Sequence, residues 1–188
     1  MTDTELTLQL QRKNEAALGA LQAKYGSYCH HIAENILHNR EDAEECVADA
    51  LQQVWQTVPP QKPEHIKYYF ARLTRNAAIN YYHAQHCAKR GGGETALVLE
   101  ELENCISSPD SPEKEFAAKE LSSAVNRFLG TLPARERDIF LRRYFFVEPL
   151  ERIAHGFGMR KQSVSVLLYR TREKCKSYLK KEGYLSEY

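Results

Sequence analysis

Apolar residues recur at spacings of three and four along most of this 188-residue chain, the period of helices buried along one side. In the front half Leu18, Leu21, Tyr25, Tyr28, Cys29, Ile32, Ile36 and Leu37 follow it, after Asn14 as a candidate cap. A second run opens at Asp42 and sets Ala43, Val47, Ala50, Leu51, Val54, Trp55 and Val58 on one side. Pro59, Pro60 and Pro63 then enforce a loop. A third run turns Ile66, Tyr69, Phe70, Leu73, Ala77 and Tyr81 inward. In the back half a helix is predicted over 116–129, with Leu121, Val125, Phe128 and Leu129 as its stripe and Gly130 as its end. Pro133 starts the next, since proline is tolerated in a first turn, and Ile139, Phe140 and Tyr144 face inward there. No segment alternates with period two. The expected class is all-α: two small helical domains joined by a flexible acidic linker, the C-terminal one a helix-turn-helix.

Charge sharpens that division. The whole chain carries 26 Lys+Arg against 25 Asp+Glu, which conceals an asymmetry. Residues 1–90 balance at 10 of each sign, residues 91–120 hold 2 basic against 8 acidic, and residues 121–188 hold 14 basic against 7 acidic. A basic tail of that excess points to a polyanion. The acidic middle opens with Gly91, Gly92 and Gly93, continues through the acidic run at 100–103, and contains Pro109 and Pro112 among serines. That composition favours a solvated tether with room for a short helix over 95–104. The expected domains are 1–90, a linker over 91–115, and 116–188.

Several function classes fall away. No apolar run approaches the ~18 residues of a membrane span. The opening MTDTELTLQL lacks a basic stretch followed by an apolar one, so no secretory signal is expected, no membrane insertion either, and the default compartment is the cytoplasm. The 5 cysteines are odd in number and widely spaced, with no CxxC, which argues against a disulfide framework and for small core residues. His83, His86 and Cys87 lack a convincing fourth ligand, so neither metal nor other cofactor is expected. There is no phosphate loop, nucleophile elbow or paired His/carboxylate motif, so the chain reads as a non-enzyme without a small-molecule substrate.

The richest segment runs from Pro149 to Arg170. Ala154 is small enough for two helices to cross closely, and Gly158 suits a turn of positive φ. The following helix has an inward stripe of Val164, Leu167, Leu168, Thr171 and Cys175. At about 100° per residue the opposite face holds Gln162, Ser165, Val166 and Tyr169. In a major groove, Gln162 has the amide to pair with adenine and Val166 the methyls to touch thymine. Lys161, Arg170 and Arg172 flank that face as phosphate holders. Arg160 stands at the N-cap, where arginine cannot accept the helix amides and a phosphate can. Ser163 completes the set of candidate duplex contacts. On this half alone, a stand-alone helix-turn-helix regulator fits.

Three motifs carry a wider resemblance. LPARERDIFLRRYF from Leu132, PLERIA from Pro149 and SVSVLLYRTREK from Ser163 resemble the promoter-reading C-terminal domain of bacterial sigma factors. DAEECVADAL from Asp42 resembles their polymerase-binding helix, and FARLTRNAAIN from Phe70 their promoter-melting helix. Two modules and a linker are the layout of the extracytoplasmic-function group of the sigma-70 family. The resemblance implies core RNA polymerase and promoter DNA as partners, with an anti-sigma protein as a further one. It implies that the face made by Asp42, Glu45, Asp49, Gln52 and Gln53 docks on the polymerase, acidic side chains setting register against basic ones. It implies −35 duplex reading by the back half, and an acidic linker that mimics nucleic acid in the polymerase channel. It also implies that the third helix and the loop at 57–65 open the −10 element and capture a flipped base. The residues that answer to this last role are Tyr68, Arg72, Arg75, Asn76, Ile79, Asn80, Tyr82 and His83. Aromatic rings interleaved with cations also suit single-stranded DNA on chemistry alone. Asn80 stands where the family usually has aspartate, His83 where arginine is common, and Ala48 where a polar amide is usual.

Overall fold

The structure, a computed structural model, describes residues 1–86, 93–106 and 114–185. Every regular element among them is a helix, and the chain divides into two compact units, Met1–Gly91 and Gly92–Tyr188. The second unit takes in the stretch 92–115 that was expected to be a linker; the partition into a domain at 1–90, a linker at 91–115 and a domain at 116–188 remains a proposal. None of the described helices is long and apolar enough to cross a membrane.

The first unit contains α1 (Asp3–Gln11), α2 (Ala16–Leu37), α3 (Arg40–Thr57) and α4 (Ile66–His86). α2, α3 and α4 pack on one another, and α1 lies on α2 and α4. Periodicity had not revealed α1. Its signal is a capping box, in which the Thr2 side chain accepts from the Glu5 amide and Glu5 accepts from the Thr2 amide at 2.7 Å. Leu6 and Leu10, one turn apart, then enter the core. The N-cap of α2 is Glu15, without a side-chain cap, and not Asn14; Asn14, one residue earlier, accepts from the Ala16 amide at 3.1 Å. α3 opens before Asp42: Asn39 accepts from the amides of Glu41 and Asp42 at 2.9 and 3.3 Å, so Asp42 sits in the first turn. Leu21, Ile32, Ile36, Val54, Ile66 and Phe70 are fully buried.

α2 ends on His38 in the left-handed region, φ 53°, with its amide donating to the Glu34 carbonyl at 2.8 Å. Glycine reaches that conformation without steric cost. His38→Gly is therefore expected to stabilise the protein by up to about 1 kcal/mol, the left-handed strain of roughly 1–2 kcal/mol relieved less the extra chain entropy glycine loses on folding, read as a higher urea midpoint at constant slope.

The second unit contains α5 (Gly93–Ile106), α6 (Lys114–Thr131), α7 (Ala134–Tyr144), α8 (Leu150–Phe157) and α9 (Lys161–Lys181). Gly130 does not end its helix; α6 runs on to Thr131, and Pro133 serves as N-cap of α7. The acidic segment supplies α5, which spans the short helix expected over 95–104 and packs on α7 and α9. The core of this unit joins Ala124, Phe128, Leu132, Cys175 and Leu179, and Ile139, Ile153, Val164 and Leu168 are buried as well.

Cys29, Cys46 and Cys175 are buried, as small core residues. Burial pushes the thiols of Cys29 and Cys46 up from about 9 to about 11, with Asp49, Glu45 and Asp42 adding to the rise at Cys46. Between these values the unfolded chain releases protons that the folded one retains, so both thiols favour unfolding as pH rises. Stability is expected to fall between about pH 9 and 11, and Cys29→Ala with Cys46→Ala is expected to flatten that part of a thermal-melt pH series.

Candidate nucleic-acid interfaces

The helix-turn-helix is built from α8 and α9. α8 ends at Gly158, left-handed at φ 61°, where a side chain would be strained. Ala154 is 5% exposed, and the turn closes with the Met159 amide on the Ala154 carbonyl at 2.9 Å. α9 buries Val164, Leu168, Thr171, Cys175 and Leu179 on one side, with Leu167 half-buried beside them. Thr171 enters this apolar stripe because its hydroxyl donates to the Leu167 carbonyl at 2.9 Å.

The inward stripe fixes what faces out. Arg160, Lys161, Gln162, Ser163, Ser165, Val166, Tyr169 and Arg170 are all exposed. Val166 is 50% and Tyr169 57% exposed, large apolar surfaces to leave in water. Arg160 is the N-cap, and no side chain caps the α9 amides there. Lys161 pairs with Glu151 of α8, both of them exposed, which holds the Glu151 carboxyl below its usual range. Such a pair gives way readily to a phosphate. A groove beside α9 is lined by Glu136, Gln162, Ser163, Val166, Arg170 and Lys174.

Arg172 departs from the expected phosphate edge. It is half-buried, donates to the Tyr144 hydroxyl, and meets Glu101 of α5 at 3.3 Å. Its charge is already engaged inside the unit.

In the first unit α4 is rotated from the expected register. Its fully enclosed positions are Ile66, Phe70, Ala71, Thr74 and Ala78, with Tyr82 8% and Tyr69 9% exposed. Leu73, Ala77 and Tyr81, expected inward, are half-buried. Thr74 takes a core place because its hydroxyl donates to the Phe70 carbonyl at 3.0 Å. Tyr82 is therefore no outward ring: it closes the core, and it leaves the set of stacking residues. Arg75 and Ile79 are half-buried, and desolvation lowers the Arg75 guanidinium from its usual value.

The solvent face of α4 instead carries Tyr68, Arg72, Asn76, Asn80 and His83. Tyr68 is 60% exposed, and the His65 ring meets its edge at 5.9 Å between centroids. Arg72 lies 5.3 Å over the Tyr69 ring. Lys67 escaped notice in the sequence, yet it stands 4.5 Å from the Tyr28 ring and 5.6 Å from that of Tyr68. The signal was a lysine immediately before two tyrosines, with Tyr25 and Tyr28 brought to it from α2. The loop before α4 leaves Pro59, Pro60, Gln61, Lys62, Glu64 and His65 exposed and buries Val58. The side chain of His86 and all of Cys87 lie outside the described residues. Among those described, no group of His, Cys, Asp and Glu is placed to hold a metal ion.

The acidic face of α3 presents Glu45, Asp49, Gln52, Gln53 and Gln56 to solvent. Asp42 is half-buried, accepting from the Tyr81 hydroxyl at 2.8 Å, which ties the start of α3 to α4.

Comparison with known families supports both halves. The description Sigma-70 region 2 matches residues 21–86, and Sigma-70, region 4 matches residues 122–175. Together they take in more than half of the chain. No curated protein matches it.

Proposed function

Since the chain belongs to the sigma-70 family, in which the pairing of regions 2 and 4 is typical of the extracytoplasmic-function group, we propose that it is a promoter-specificity subunit of that group. It binds core RNA polymerase and directs it to a small set of promoters in the cytoplasm. It has no chemistry of its own. The observation that supports this most is the joint presence of both regions in order, each with a reading helix most of whose candidate contacts are exposed.

On this reading α9 enters the major groove at the −35 element. Gln162 and Val166 address base edges, Ser163, Ser165 and Tyr169 line the approach, and Lys161 and Arg170 hold phosphates. The bare amides behind Arg160 take a phosphate at the start of the helix. α4 addresses the melted −10 strand: Tyr68 offers a ring for stacking, Arg72 holds the backbone, and Asn76, Asn80 and His83 offer polar contacts. Arg75 and Ile79 border that face. A base swung out of the stack must recover a few kcal/mol in its new contacts, and the loop before α4, with His65 exposed at its end, stands next to Tyr68. Glu45, Asp49, Gln52 and Gln53 dock on the polymerase, with Asp42 holding the helix start. An anti-sigma protein able to cover both DNA faces is the further partner this function calls for.

The test is transcription in vitro. Purified chain added to core polymerase is expected to give run-off transcripts from one start site. No association with core would overturn the proposal and leave a stand-alone duplex-binding regulator. Asp49→Lys is expected to weaken core binding roughly tenfold, mainly through slower association, with an unchanged melting temperature. Unaltered affinity would show that another face makes the contact.

A further inference from the structure

α5 belongs to neither reading helix, and its placement gives it a use. The segment 91–120 holds 2 basic against 8 acidic residues, and the 121–188 segment holds 14 against 7. α5 lies on α7 and α9 and buries Thr95 and Val98. Close by along the helix, the Glu101 carboxylate accepts from the Tyr144 hydroxyl at 2.9 Å and from Arg172 at 3.3 Å, and it stands 3.6 Å from Arg143 Nε. One carboxylate thus serves two guanidiniums of opposite character. Arg143 is fully buried and also donates to the Glu148 carbonyl at 3.3 Å. Arg172 lies on the reading helix, two residues beyond Arg170, with its side chain 20% exposed against 22% for Glu101.

A carboxylate offers a guanidinium the same fork of oxygens that a DNA phosphate offers. Both partners of the Arg172–Glu101 pair retain water contact, so an incoming phosphate can exchange for the carboxylate without exposing a bare charge. Arg143 has no such access and anchors the contact.

We propose that α5 is an internal strap on the duplex-reading unit: Glu101 holds Arg172 in the free chain and yields it to a DNA phosphate when duplex binds. This rests on the −35 reading of α9 and adds its regulation. Duplex binding and α5 docking then oppose each other, so a partner that draws α5 away strengthens duplex binding by the same factor that duplex weakens docking.

The experiment uses the full chain and a short fluorescein-labelled duplex of mixed sequence, followed by anisotropy over a salt series. Glu101→Gln is expected to tighten binding about two- to fivefold, the worth of one partly exposed ion pair. It is also expected to steepen the plot of log affinity against log salt by about 0.9, one phosphate contact. Val98→Ser, which loosens α5 through its apolar contact, is expected to move affinity in the same direction. Glu100→Gln makes the same charge change at an exposed position and is expected to leave affinity within about twofold. Adding Arg172→Gln to Glu101→Gln is expected to cancel the gain. Hydrogen exchange reads the strap separately: α5 amides are expected to exchange faster in Glu101→Gln and in the wild-type chain once duplex is added. Equal duplex affinity in Glu101→Gln, Val98→Ser and Glu100→Gln would overturn the proposal, as would α5 amides equally protected with and without bound duplex. Absence of duplex binding in every chain, with α5 still loosened by Glu101→Gln, would overturn the duplex reading itself and the competition with it.

Discussion

Phe70→Ala is expected to remove most of the stability of the first unit. Phe70 is fully buried on α4, the helix that packs on both α2 and α3. Truncating a buried phenylalanine costs about 3–5 kcal/mol, the lost transfer energy plus the cavity left behind. For a unit of this size each kcal/mol shifts the midpoint by about 4–8 °C, so a fall of more than about 12 °C is expected by circular dichroism. Function should fail with it. The acidic face of α3, proposed to dock on the polymerase, and the solvent face of α4 exist only while these helices are held against each other, so on the proposed function core binding and promoter opening are expected to be lost together. Leu73→Ala is the control that tests the rotation of α4. Leu73 is half-buried, and its truncation is expected to cost roughly half as much or less. Equal losses for the two variants would show that α4 faces the core with the other side.

Gln162→Ala and Val166→Ala are expected to change which −35 sequences are used, with the fold unaffected. Both side chains are exposed, and Val166 is 50% open to solvent beside the groove along α9. A side chain paired to a base edge is worth about 1–3 kcal/mol of discrimination, about 5- to 150-fold in relative promoter use. Run-off transcription from a library randomised at the −35 element reads the preference directly. Loss is expected at one or two base positions for each variant. Lys161→Ala, whose present partner is Glu151, is expected instead to weaken all promoters alike and to lower the salt slope by about 0.9. Uniform weakening by Gln162→Ala would show that it positions the helix and does not read bases.

These two outcomes separate what was legible in the sequence from what was not. The helix-turn-helix was legible because its determinants are local. Gly158 meets the demand of one left-handed turn, Ala154 the demand of one close crossing, and Val164, Leu168, Thr171 and Cys175 form a stripe that leaves a single outward face. α4 was not legible to the same degree. Leu73, Ala77 and Tyr81 form one apolar stripe and Phe70, Ala78 and Tyr82 another, so periodicity alone admits two rotations. Thr74 breaks the tie only once its hydroxyl is known to be satisfied on its own helix. That choice buries Tyr82, exposes Asn76, and moves the center of the candidate single-strand surface.

The sequence by itself therefore determined the helical class, the family, and the outward face of α9, because spacing and turn chemistry act within a few residues. Only the tertiary structure decided the rotation of α4, the meeting of Lys67 with the tyrosines of α2, and the capture of Arg172 by Glu101. Those depend on which surfaces meet across long stretches of chain, 71 residues in the last case, and packing and charge pairing at that range leave no periodic trace in the order of residues.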